Sequence, residues 1–150
     1  MSVLDVGCNR GMVAFEFAVN GAKVLHGMDS YDVGIQTAKE VFADLRYVET
    51  KFAQIDLTQG SGPIIAEFGD TTYDLVLLLA IVHKLRRVME PEALQELVSF
   101  LVGCSRKYVA ARLPHGEDLP FVARATEQHG FRLIQHSTIS ELGPAYVWSK

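Results

Sequence analysis

Two stretches of this 150-residue chain have the residue types and spacing to do chemistry. The first is Val3-Leu4-Asp5-Val6-Gly7-Cys8-Asn9-Arg10-Gly11, where an apolar run meets a glycine turn and passes into the helical pattern Met12 to Val19. The second is Leu79-Ala80-Ile81-Val82-His83-Lys84-Leu85-Arg86-Arg87, which closes the longest apolar run and sets an imidazole among three cations. In an open parallel sheet, a strand-loop-helix of the first kind lies at the carboxyl end of its strand, where a crevice receives ligands. Gly7 and Gly11 permit positive φ and let a ligand approach without meeting a Cβ. The free N–H groups opening the helix then favour a negatively charged group.

What the first loop lacks narrows its ligand. It has no Gly-Lys-Ser/Thr ending of the nucleotide-hydrolase kind. A dinucleotide loop wants G-x-G-x-x-G, yet Asn9 stands at the second glycine position and Met12 at the third, so a nicotinamide cofactor is disfavoured. The segment resembles the first motif of class I S-adenosylmethionine-dependent methyltransferases, written Leu-Asp-hydrophobic-Gly-Cys-Gly-x-Gly, with Asn9 replacing the middle glycine. Some branches of that family, resembling the RNA-cap methyltransferases, carry a Gly-Cys-Asn-x-Gly loop.

The elements that must position these residues follow in order. Met1 to Val6 reads as the first strand, with a helix ending near Asn20-Gly21. Lys23 to Met28 is a short second strand ending at Asp29, and Ser30 is placed to cap a helix whose Val33, Ile35, Ala38, Val41, Phe42 and Leu45 share a face. Tyr47 to Ile55 is a third strand ending at Asp56, followed by a weak helix at Ile64 to Phe68 that Gly60, Gly62 and Pro63 interrupt at its start. Tyr73 to Leu79 is continuously apolar after Asp74, as a central parallel strand covered on both faces should be. Pro91 opens a helix with the stripe Leu94, Leu97, Val98, Leu101 and Val102. Lys107 to Leu113 is the fifth strand, Pro114 to Asp118 a loop, and Pro120 to Gly130 a helix. Phe131 to Ile139 and Ala145 to Trp148 form a terminal pair of strands around Ser140 to Pro144.

Five strand-helix alternations before a terminal hairpin indicate an α/β doubly wound sheet. The resemblance extends over essentially the whole chain. It implies a three-layer Rossmann-like methyltransferase fold with a mostly parallel seven-stranded sheet, order 3-2-1-4-5-7-6, the last strand antiparallel. The chain is expected to be one domain, residues 1–150, without the helices that in this family precede the first strand and help cover the site. A second copy or a partner domain is then expected to close it.

Composition excludes other classes. The net charge of −4 argues against a surface that coats nucleic acid generally, although it does not exclude a local basic patch. Cys8 and Cys104 form neither a zinc motif nor a disulfide framework, and a reducing cytoplasm suits them. The run Leu75 to Val82 is far short of the roughly 20 residues that span a bilayer, and a strand beginning within two residues of position 1 leaves no room for a leader. A cytoplasmic protein without membrane attachment is expected.

By position, the resemblance implies a set of contacts to S-adenosyl-L-methionine. Asp29, ending the second strand, would accept from the two ribose hydroxyls, with Ser30 beside it. Asp56 would accept from the adenine amino group, and Leu57 would offer its backbone to the ring. Asp5 would help orient the methionine ammonium group, while Gly7, Cys8, Asn9 and Gly11 form the loop and Leu79 and Ala80 face the transferred methyl. Turn-forming roles for Asp29 and Asp56 are the competing readings.

For the reaction, many family members acting on hydroxyls or small molecules carry Val-Leu-His-His after this strand. His83 matches the first histidine and Lys84 departs from the second. A neutral imidazole suits a base near pH 7; local packing is the alternative. Lys84, Arg86, Arg87 and Arg112, with His115, could attract an anionic acceptor or form a solvated charged surface. No Asn/Asp-Pro-Pro-Tyr follows the fourth strand and no Glu-x-x-Glu-x-x-His-His run occurs, so neither exocyclic amino methylation of bases nor a catalytic metal is expected. The expected function is methyl transfer from S-adenosyl-L-methionine to an oxygen or nitrogen of an unidentified acceptor. The alternative is a non-catalytic, methyltransferase-like cofactor-binding or interaction subunit, and the third reading is a nucleotide-cofactor oxidoreductase.

Overall fold

A computed structural model describes residues 1–137 and 141–150. Strands β1 (Ser2–Val6), β2 (Val24–Asp29), β3 (Glu49–Gln54), β4 (Tyr73–Leu79), β5 (Ser105–Arg112), β6 (Arg132–Ser137) and β7 (Ala145–Ser149) form one sheet in the order β3-β2-β1-β4-β5-β7-β6. All pairings are parallel except those of β7, which runs against both β5 and β6. The Rossmann-like methyltransferase topology expected from the sequence is therefore the one observed. The expected sixth strand extends to Ile139, and the turn after it starts at Ser140; Thr138, Ile139 and Ser140 lie outside the described residues.

The helices α1 (Met12–Val19), α2 (Asp32–Phe42), α3 (Gly62–Phe68), α4 (Val82–Arg86), α5 (Pro91–Gly103) and α6 (Leu119–Gln128) pack on the two faces of the sheet. Strand side chains alternate between these faces. Along β4, Val76 and Leu78 enter the core built with Leu94, Leu97 and Leu101 of α5 and Val122 of α6, while Leu75 and Leu77 enter the core built with Ala14 and Ala18 of α1 and Ile35 of α2. Burial on both sides is why β4 reads as an unbroken apolar run rather than an alternating one.

Two local expectations need correction. α3 begins at Gly62 because Pro63 occupies its first turn, where the missing N–H costs nothing. The segment after β4, to which the sequence reading assigned no element, is helical at Val82–Arg86, with Val82 and Leu85 buried against the larger core.

The amino ends of β1, β4 and β5 are joined by one carboxylate. Asp74 Oδ2 accepts from the Ser2 backbone N–H at 3.0 Å, while its Oδ1 faces Arg106 Nη2 at 3.2 Å and Lys107 Nζ at 3.1 Å. The Ser2 N–H, with the Lys107 and Arg106 charges, holds the Asp74 carboxyl down at about 2. A depressed carboxylate stabilises the fold above its unfolded pKa and loses that contribution as pH falls through the folded one. Asp74→Asn is therefore expected to lower the melting temperature at pH 7, with the gap to wild type closing as pH falls from about 4 toward 2. Thermal melts across that range check it, and a gap that stays constant with pH would mean the carboxylate charge is not what joins the strands.

Candidate active site

The chain reverses strand order between β1 and β4, and the crevice at their carboxyl ends is where an open α/β sheet receives ligands. The loop after β1 is folded tightly by its own backbone. Gly7 N and Cys8 N both donate to Met28 O, at 2.8 and 3.0 Å, and Gly11 N donates to Cys8 O at 2.8 Å. Gly7 (φ 79°), Asn9 (φ 49°) and Gly11 (φ 74°) all take the left-handed conformation, which asparagine tolerates better than most residues. A Cβ at Gly7 would lie 3.1 Å from the Ile81 side chain, so this glycine serves packing across to the loop after β4 as well as its own φ.

Asp29 ties this loop to the one after β2. Its Oδ2 accepts from Asn9 N at 2.8 Å, and its Oδ1 accepts from Tyr31 N at 2.9 Å. That arrangement replaces the cap expected of Ser30: Tyr31 sits at the helix boundary and no side chain caps α2. An ionised carboxylate has about four acceptor positions, so Asp29 keeps lone pairs free for a ligand after holding both amides.

One cleft gathers Gly7, Asp29, Ser30, Asp56, Leu57, Leu79 and Ala80 from four different strand ends. Asp56 closes its own turn, accepting at Oδ1 from Thr58 N (3.0 Å) and Thr58 Oγ1 (2.7 Å), and these hydrogen bonds hold its carboxyl below the usual range. Ala80 has φ 58°, and its N–H donates to Arg112 O at 3.0 Å. A left-handed non-glycine residue marks a strained position that its surroundings must enforce, and here it lies in the cleft wall.

Other expected site residues lie around the cleft rather than in its lining. Cys8 is buried, and burial, with Asp5 and Asp29 nearby, pushes its thiol up so that it stays un-ionised near neutral pH. Asn9 and Gly11 shape the loop from behind. His83 sits on α4 with its ring 5.6 Å from that of His115. Burial lowers its pKa, and Arg87, His115 and Lys84 lower it further against the pull of Asp118, so the ring is neutral at pH 7. Lys84 does line the cleft. Arg86 does not belong to an anion-attracting set: its Nε donates to Asp118 Oδ1 at 2.8 Å and its Nη2 reaches Glu117 Oε2 at 2.8 Å.

The sequence reading missed Ile55, Thr58 and Val88, which also line the cleft, and gave no individual role to Ile81 and Leu85 of the stretch after β4, which do so too. It missed Gly34 as well, where a Cβ would come within 2.9 Å of Asn9 O. Gly34 lets the first turn of α2 press against the loop; an i+5 glycine after Asp29 was the available signal.

Comparison with known proteins agrees with this architecture. The sequence profile of a methyltransferase domain family matches residues 3–102. The chain belongs to that family of methyltransferase domains. Among solved structures, the bifunctional kinase-methyltransferase WbdD is similar at 21% identity and a TM-score of 0.70, over 99% of this chain and 34% of that one. The ribosomal protein L11 methylase of Lactobacillus delbrueckii subsp. bulgaricus aligns at 20% identity and 0.68, over 99% and 69%. The N-methyltransferase NodS of Bradyrhizobium japonicum WM9, solved with S-adenosyl-L-homocysteine, aligns at 11% identity and 0.73, over 99% and 77%. At these identities the likeness is one of fold, and the chain spans about a third of WbdD. Among curated protein sequences nothing matches. Among the described residues no helix is long and apolar enough to cross a membrane, and no cluster of His, Cys, Asp or Glu is arranged to hold a metal.

Asp5 generates a direct test of the site's electrostatics. It is 2% exposed, and burial, with Asp29 adding repulsion, pushes its carboxyl up to about 7. In the unfolded chain the same group ionises near 3.9. Between roughly pH 4 and 7 the unfolded chain therefore gives up a proton that the folded one keeps, and stability falls as pH rises, by up to about 4 kcal/mol for a gap of this size. Asp5→Asn cannot ionise and escapes this loss. Its melting temperature relative to wild type should rise between pH 5 and pH 8; a pH-independent difference would show that the buried carboxyl is not held protonated.

Proposed function

We propose that the cleft holds S-adenosyl-L-methionine and that the chain transfers its methyl group to an oxygen or nitrogen of an acceptor bound beside His83. The observation that carries this reading is the loop's hydrogen bonding. The amides of Gly7, Cys8, Asn9 and Gly11 are already taken by Met28 O, Asp29 Oδ2 and Cys8 O. The loop's own amides at these four positions are thus committed within the protein, while Asp29 and Asp56 present carboxylates to the same cleft. Hydroxyl, amino and ammonium donors suit such a lining, and a diphosphate does not.

In this reading S-adenosyl-L-methionine, when bound, would supply an activated methyl on a sulfonium for transfer to the acceptor. Asp29 would accept from the ribose hydroxyls, Asp56 and the Leu57 backbone would meet the adenine, and Asp5 would help orient the ammonium group. A cationic ammonium nearby would draw Asp5 back toward its ionised form. Leu79, Ala80 and Ile81 supply the wall beside the methyl, where alignment and exclusion of water provide much of the rate. His83, neutral near pH 7, takes the acceptor's proton at a ring nitrogen. Lys84 offers one positive charge to an anionic acceptor.

Apolar Met12, Val13, Tyr31 and Val33 are exposed at the starts of α1 and α2, beside the loop. They support a second copy as the element that covers this end of the sheet. Turnover per chain should then fall on dilution in step with dissociation; turnover that is independent of dilution would remove the second copy.

Calorimetric titration with S-adenosyl-L-homocysteine and with NAD tests the cofactor assignment. The first should bind and the second should not. Asp29→Ala should weaken the first by about 1.5–3 kcal/mol, the scale of hydrogen bonds to a charged group. Unchanged affinity would remove Asp29 from the site, and binding of NAD alone would overturn the assignment.

A further inference from the structure

α4 meets the 3₁₀ turn Gly116–Asp118 through two pairs of residues with the same spacing. His83 and Arg86 are three apart on α4 and share a side of the helix; His115 and Asp118 are three apart on the facing segment. The rings of His83 and His115 meet edge to face at 66°, and one step along, Arg86 Nε donates to Asp118 Oδ1 at 2.8 Å. Asp118 is 0% exposed. Two polar atoms in this contact are buried without a hydrogen-bond partner: His83 Nδ1 and Asp118 Oδ2.

A buried polar atom without a partner is costly, and native structures rarely leave one. Here one orphan accepts only, and the other can donate. The Arg86 fork fixes the carboxylate on its Oδ1 side, so Oδ2 is the oxygen left to serve.

We infer that Asp118 is a positioning residue for His83, its Oδ2 taking the His83 Nδ1–H through one bridging water, which leaves Nε2 as the basic nitrogen. The tautomer of a histidine is set by the hydrogen bond its other nitrogen makes. Arg86 neutralises most of the buried negative charge, so Asp118 orients the ring without turning it into a permanent imidazolium. The charged and titratable groups around the ring are Lys84 and Arg86 on α4, Arg87 just after it, and His115, Glu117 and Asp118 on the facing segment. Among those that act on its titration, Asp118 alone favours the protonated ring. The use of Nε2 in catalysis rests on the methyl-transfer reading; the tautomer does not.

The test is ¹⁵N-resolved NMR of the histidine rings in the full chain, with His83 assigned through His83→Gln. At pH 8 the wild-type ring should carry its proton on Nδ1, and a ring protonated mainly on Nε2 would overturn the inference. Asp118→Asn should lower the His83 titration midpoint by about 1 pH unit. Arg86→Gln, which leaves the carboxylate uncompensated, should move it up. Opposite signs are what a structural anchor alone would not produce, and a midpoint that stays put in folded Arg86→Gln would also overturn the assignment. If Asp118→Asn fails to fold, the wild-type tautomer and Arg86→Gln still decide. Titration of the same wild-type sample with S-adenosyl-L-homocysteine keeps the two ideas apart: absent binding counts against methyl transfer and leaves the tautomer result standing.

Discussion

The site depends on one carboxylate divided between two amides. Asp29 accepts from Asn9 with one oxygen and from Tyr31 with the other, so the loop after β1 and the start of α2 are fixed to the same strand end. Each hydrogen bond to an ionised acceptor is stronger than a neutral one, and neither amide has a partner elsewhere in its loop. The left-handed residues Gly7, Asn9 and Gly11 and the close approach of Gly34 to Asn9 O become intelligible from this: the loop is drawn inward onto Asp29, and only small or left-handed residues fit along that path.

Strand ends and their acidic residues were legible in the sequence because their signals are local. Apolar runs, turn residues and one carboxylate after each of β2 and β3 are read within a few positions of one another, and the sheet order followed from the resemblance. What escaped reading was set at long range. The five residues of α4 are too few to show helical periodicity, and it is the burial of Val82 and Leu85 that holds them. Arg86 looked free beside Lys84 and Arg87 because its partners stand some thirty positions further on. Ser30 has the residue type for a cap, yet Asp29 reaches Tyr31 N first. In each case a contact closed by the tertiary fold replaced one that local pattern would suggest.

The charge distribution also differs from what the composition implies. The basic stretch after β4 contributes Lys84 to the cleft, while Arg86 is spent on Asp118 and Glu117. Asp29 and Asp56 line the cleft, and the buried Asp5 is pushed up to about 7 by burial and by Asp29. A positive charge beside Asp5 and Asp29 would relieve the desolvation and repulsion that raise Asp5. Binding of a cation and release of a proton would then be linked at this residue.

Two mechanical units meet at the cleft, and they share few parts. Asp29, the glycine loop and α2 form the one; α4, the turn at Gly116–Asp118 and their paired His83–His115 and Arg86–Asp118 contacts form the other. Ile81, touching the space over Gly7, bridges them and also begins α4. Such a division lets the two vary separately: changes around Asp29 act on the loop after β1, while changes around Asp118 act on the His83 ring. Ala80 sits at the junction, held left-handed by its bond to Arg112 O on β5. The strain there is sustained by the parallel pairing of β4 with β5 through Leu79 and Arg112, so the backbone turn that aims α4 at the cleft is set by the sheet itself.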